Sequence, residues 1–180
     1  MRPASVDESV QAGEAVVDYL GRITAAKLRA VAALPECIQE AARRSVGILV
    51  ADTSVVLEGQ ILGKPVDVDD CERMLVALAG REHQVMTRYV LAQLSQGRLD
   101  VNSTRTETSH VMFRACSRPT LRRYAASGEG ADKAGGYAIQ GLGSFLVRGL
   151  RGSYSNVVGL PACELIEDLE RLGWLGDYPR

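Results

Sequence analysis

Histidine is almost missing from this chain, and what there is lies apart in sequence: His83 and His110 are too few for a histidine-rich metal cage, and strand or surface positions are expected for both. Cysteine is equally uninformative. Cys37, Cys71, Cys116 and Cys163 lack the paired spacing of a zinc site or a thioredoxin-like motif, so they read as reduced thiols. Charge of one sign is missing too. The 21 basic and 22 acidic residues leave a formal net charge of -1, which argues against broad adhesion to nucleic acid or anionic membrane; any phosphate site must be a local cluster. No apolar run is long enough to span a bilayer, and Met1–Ser9 has neither a signal-peptide hydrophobic region nor an amphipathic basic pattern. A cytoplasmic protein without nucleic-acid or membrane partners is the expectation. No repeat, low-complexity tract or linker interrupts the 180 residues. A composition of 46% hydrophobic and 24% charged residues suits one domain with a substantial core.

What is present has mixed α and β periodicity. Residues 13–34 place Val16, Leu20, Ile23, Ala30 and Leu34 at helical spacing, with Lys27 interrupting the stripe. Such a lysine either snorkels to the rim of a core or faces a site where its ammonium meets an anion. Val46–Ala51 reads as a buried strand whose end delivers Asp52 and Thr53 to a crevice. Asp67 opens a helix running to Ala79, with acidic residues in its first turn and Gly80 as terminator. His83–Leu91 and Arg105–Phe113 read as strands around a polar turn at 95–98, and Pro119 starts a helix that stops at Gly128. Phe145–Leu150 and Asn156–Val158 supply further strands, and Pro161 starts a last helix.

Glycine, unlike histidine, is plentiful where it matters. Ala134–Pro161 reads AGGYAIQGLGSFLVRGLRGSYSNVVGLP, with seven glycines among amides and hydroxyls. One reading is a run of tight turns between short strands; the other is backbone that approaches a ligand closely. The motifs KAGGYAIQGLG and GSYSNVVGLP follow VADTSVVLEGQILGKP (50–65) and LAGREHQVMT (78–87), and VDES stands at 6–9. Together, over nearly the whole chain, these resemble the Maf family of nucleoside triphosphate pyrophosphatases. The family's opening strand and its Ser-x-Ser-Pro-Arg-Arg turn have no counterpart here. The expectation is therefore a single Maf-like domain over 1–180, N-terminally truncated relative to the family.

The resemblance implies an α/β fold with a mixed sheet flanked by helices, bilobed around a cleft lined by Glu8, Lys27, Asp52, Lys64 and Gln140. It implies hydrolysis of a nucleoside triphosphate between its α and β phosphorus atoms, in a house-cleaning role. The alternative is a catalytically weak, Maf-like nucleotide-binding or division-regulatory protein. In the implied enzyme Asp52 is the base that activates water, and with Glu8 it holds a divalent cation, Mg²⁺. Lys27 and Lys64 hold phosphate oxygens, and Lys133, with Asp132 as local partner, is a further phosphate contact. Thr53 and Gln140 read the base: Gln140 offers an acceptor and a donor, as a pyrimidine imide edge requires. The pairing of ADT with AIQG resembles the subgroup that hydrolyses dTTP and UTP. A homodimer is also implied. The plainer alternatives are a turn cap for Asp52, solvated surface positions for the lysines and Glu8, and backbone partners for Thr53 and Gln140.

Overall fold

Five strands form one sheet in the order β2-β1-β3-β4-β5. They are β1 (Val46–Leu57), β2 (Gln60–Leu62), β3 (Glu82–Ser95), β4 (Arg98–Phe113) and β5 (Val147–Arg151). The computed structural model describes residues 6–176. Two hairpins close through two-residue turns in the left-handed region, Glu58 and Gly59 at φ 51° and 80°, and Gln96 and Gly97 at φ 50° and 78°. That pair of positive φ values is the type I′ turn, whose twist matches the strands it joins. β1 and β2 are antiparallel with Val55 opposite Leu62, and β4 and β5 are antiparallel with His110 opposite Arg151. The helices are α1 (Val16–Ala32), α2 (Pro35–Ala41), α3 (Val68–Leu78), α4 (Arg118–Ala126), α5 (Tyr154–Val158) and α6 (Ala162–Arg171). None among the described residues is long and apolar enough to cross a membrane.

Contacts divide the chain into two units. The first takes the chain through Asp52, Arg88–Thr106 and the residues from Leu160 onward. Here Leu28 of α1 packs with Ala41, Ile48, Val50, Val90, Ala92 and Leu94, while Leu165 of α6 packs on Tyr89 and Leu91. Leu20 and Ile23 are fully buried, each contributing roughly 1.5–3 kcal/mol relative to exposure.

The second unit takes Thr53–Thr87 and Glu107–Gly159. Leu75 and Leu78 of α3 and Leu121 and Tyr124 of α4 cover Val55, Val85, Val111 and Phe113, with Tyr137 and Leu146 in the same core. Asp67 caps α3 as its sequence position suggests, its carboxylate accepting from Asp70 N–H at 2.7 Å.

Two expectations are corrected. β1 does not end at Asp52; it runs on to Leu57, because Ser54–Leu57 are all buried and the Glu58-Gly59 turn pairs this segment with β2. Asn156–Val158 is helical, not a strand. Ser153 caps α5 by accepting from Asn156 N–H at 3.3 Å, and Gly159 ends it at φ 127°, so local capping overrides the β propensity of the two valines.

Candidate active site

Ile48 and Val50 pack in one cluster with Leu28, and the period of two along β1 places Asp52 on their face. α1 carries Lys27 beside Leu28. The consequence is a three-residue cluster in the first unit: Lys27 Nζ lies 2.5 Å from Asp52 Oδ1 and 2.8 Å from Glu8 Oε1. The side chains of Lys27 and Asp52 are 18% and 10% exposed, so this is a half-buried charge cluster and not a solvated surface pair. Tyr19, from the first turn of α1, donates to the Glu8 carbonyl at 3.0 Å.

Electrostatics keep the cluster charged. Burial works to lower the Lys27 pKa, but the hydrogen bonds to Asp52 and Glu8 outweigh it, and the ammonium sits above the ordinary lysine value. Burial, followed by the charges of Asp52 and Glu8, pushes the Tyr19 phenol up to about 12, so it remains a neutral donor at physiological pH. An ammonium holding two carboxylates can orient a proton acceptor and meet anionic oxygens.

The second unit holds the other expected residues. Gly63 C=O accepts from Gly135 N–H at 3.0 Å, which sets the loop bearing Lys64 against the start of the Gly-rich segment. Gly135 is required at this approach: its φ is 71°, and a Cβ would come within 2.9 Å of Val55 Cγ1. Lys133 Nζ pairs with Asp132 at 2.6 Å, as expected, and the exposed Lys64 is near enough to act on the same carboxylate. Asp132 is accordingly held below the usual aspartate value, first by the Lys133 hydrogen bond, against a smaller opposing effect of burial.

Thr53 is not a plain surface hydroxyl. Its Oγ1 lies 2.8 Å from that of Thr87, which in turn donates to the Asn156 carbonyl at 3.0 Å; the Gly159 carbonyl is farther, at 3.3 Å. With the Thr87 proton directed to Asn156, Thr53 donates to Thr87 and its own lone pairs remain to accept. Gln140 is exposed and precedes a 3₁₀ turn, Gly141–Leu146, as its N-cap.

The structure thus brings together Glu8, Lys27 and Asp52 in one unit, and places Lys64 and Lys133 by Asp132 in the other. Sequence reasoning missed Tyr19, Thr87 and Asn156. A tyrosine beside the apolar stripe of α1 was the available signal for the first. The others fall inside the motifs 78–87 and 152–161, but nothing there singles them out, because a buried hydroxyl chain has no periodic signature. Among the described residues no three His, Cys, Asp or Glu side chains form a metal cage.

Comparison with known proteins gives the chain its relatives. The family described as "Maf-like protein" matches residues 1–172. The chain is 44% identical over 170 residues to a dTTP/UTP pyrophosphatase of Myxococcus xanthus (strain DK1622), covering 94% of this chain and 80% of that one. It is 44% identical over 172 residues to a dTTP/UTP pyrophosphatase of Nitrosomonas europaea, covering 96% and 79%. A dTTP/UTP pyrophosphatase of Geobacter sp. (strain M21) is 41% identical over 175 residues, covering 97% and 85%. The chain belongs to the Maf family.

Proposed function

We propose that this Maf protein is a nucleoside triphosphate pyrophosphatase acting on dTTP and UTP, releasing the monophosphate and pyrophosphate. The observation that carries the reading is the Glu8–Lys27–Asp52 cluster, a half-buried carboxylate held by an ammonium. The relatives named as dTTP/UTP pyrophosphatases support the substrate class.

Asp52 takes the proton of the attacking water, a new P–O bond forms, and the α–β bridging bond breaks with its electron pair leaving on pyrophosphate. Lys27, Lys64 and Lys133 are assigned to the negative phosphate oxygens, where charge grows as the bond breaks. A divalent cation, Mg²⁺ in our assignment, is compatible with the residues present: Glu8 and Asp52 already converge on one cation, the ammonium, and two carboxylates suit a hard ion completed by water and phosphate oxygens. When bound it would neutralise triphosphate charge. The Thr53 lone pairs suit the imide N–H shared by thymine and uracil, which cytosine lacks, and Gln140 offers its amide to the flanking carbonyls. On the family resemblance we also assign the protein to the cytoplasm, as a homodimer with a house-cleaning role.

Asp52→Asn preserves size while removing the proton acceptor. Turnover of dTTP is expected to fall by roughly a hundredfold to ten-thousandfold while nucleotide binding, measured by calorimetry, changes little. Lys64→Ala is expected to weaken both. Normal pyrophosphate release by Asp52→Asn would reject the assigned base.

A further inference from the structure

Glu129 lies in the polar stretch SGEGAD, ahead of the Gly-rich segment, and nothing in that spacing marks it. The structure gives it a defined task. Its Oε1 accepts from Leu142 N–H at 2.8 Å, and its Oε2 accepts from Gly143 N–H at 2.7 Å and from Tyr124 O–H at 2.9 Å. The Tyr124 hydroxyl in turn accepts from Ala138 N–H at 3.1 Å. These contacts bracket Gln140 on both sides.

The bracket answers a physical need. Residues 141–143 open a 3₁₀ turn whose first N–H groups have no partner within the turn, and Gly141 and Gly143 leave this backbone with little stiffness of its own. Both glycines are required by the clamp. Gly141 has φ 68°, and a Cβ there would overlap Glu129 Oε1; at Gly143 it would overlap Ala138 O and come within 2.6 Å of the Tyr124 hydroxyl. Burial acts to raise the Glu129 pKa, but the Leu142, Gly143 and Tyr124 hydrogen bonds outweigh it and hold the carboxyl below its ordinary value. The Glu129 carboxyl is therefore anionic at neutral pH, and each of the three bonds that it accepts is charge-assisted.

We propose that Glu129 is a positioning residue for base selection, acting through Gln140: its carboxylate, seated on Tyr124, fixes the backbone from Ala138 to Gly143 and so fixes where the Gln140 amide is presented. This rests on the reading of Gln140 as a base contact. Glu129 touches no substrate in this scheme, so its removal affects discrimination between bases before it affects chemistry.

The test measures kcat and KM for dTTP, UTP and dCTP with the full chain, Glu129→Gln, Gln140→Leu and the double variant. A glutamine at 129 can accept through one atom only, and its NH₂ opposes the other backbone N–H. Glu129→Gln is expected to raise KM for dTTP and UTP and to lower the dTTP/dCTP ratio of kcat/KM by about tenfold, with kcat for dTTP within about threefold. The double variant is expected to discriminate no worse than Gln140→Leu, because both changes remove one presentation. Tyr124→Phe, which keeps the ring in the core, is expected to shift the ratio in the same direction by less, and it serves if Glu129→Gln does not fold.

A uniform drop in kcat on all three nucleotides with the ratio intact would overturn the proposal, since that is what general loosening produces. An unchanged ratio in Tyr124→Phe, where Glu129→Gln does not fold, would overturn it too. If Gln140→Leu collapses discrimination and Glu129→Gln does not, Glu129 fails and the Gln140 reading stands. If Gln140→Leu leaves discrimination intact, the Gln140 reading fails and takes this inference with it.

Discussion

His83 is 2% exposed, on β3, and its Nε2 lies 2.8 Å from the Tyr137 hydroxyl within a group of edge-to-face rings that includes Phe113. Its Nδ1 has no hydrogen-bond partner among the described residues. Burial pushes the imidazole from 6.5 down to about 4, so it is neutral in the folded protein and charges readily only when unfolded. The stabilisation is complete above pH 6.5 and is lost as pH falls toward 4, because protons then bind the unfolded chain more tightly. Its size is on the order of 3 kcal/mol at most. Urea midpoints between pH 7 and 4 are expected to fall for the wild type and to fall less for His83→Gln; parallel curves would show that His83 is not the source. Asp168 does not blur this window. Burial raises its pKa, but hydrogen bonds from Ser103, Arg171 and Tyr89 outweigh that and take it from 3.8 to about 2, so its contribution is lost only at lower pH.

At the scale of elements, α3 is the one whose start depends most plainly on a single side chain. Asp67→Ala removes the acceptor for Asp70 N–H, and a loss of about 1 kcal/mol is expected, read as a lower urea midpoint at unchanged slope. No change would mean that water or Asp70 itself satisfies that turn. The cap was legible in sequence because Asp67 stands before a clear apolar period, and α1, α4 and α6 were legible for the same reason. β1 was only half legible. Polar Asp52, Thr53 and Ser54 interrupt its apolar run, while the ladder that carries it to Leu57 depends on pairing with β2, a partner of three residues that no local pattern announces. α5 was misread because two valines outweighed a serine cap. In the site, Lys27 could be singled out as a break in a stripe and Asp52 as the carboxylate at the end of an apolar run, whereas Glu8 and the catalytic role of Asp52 were reached through motif resemblance. Glu129 and Thr87 act through backbone carbonyls and N–H groups, which leave no mark on residue identity.

For the molecule as a whole, β1, β3 and β4 each contribute residues to both units, so the chain passes from one unit to the other inside strands and not through loops. Cooperative unfolding is expected to follow. Trp174, the single tryptophan, packs near Leu165 in the first unit, and Cys71 is buried in the core of the second. Their urea midpoints, by fluorescence and by thiol labelling in a background where Cys37, Cys116 and Cys163 are serine, are expected to coincide. Separate midpoints would show that the units melt independently despite their shared strands. The same continuity bears on how this sequence can change over evolutionary time. Asp52 and Thr53 are consecutive on β1, about 3.8 Å apart at Cα, and a strand turns each successive side chain to the opposite face. Inserting or deleting one residue between Val46 and Asp52 therefore cannot shift the carboxylate gradually; it exchanges the facings of the carboxylate and the hydroxyl at once. Length variation in descendants of this chain should accumulate in its turns, and in β1 it should be found in steps of two or not at all.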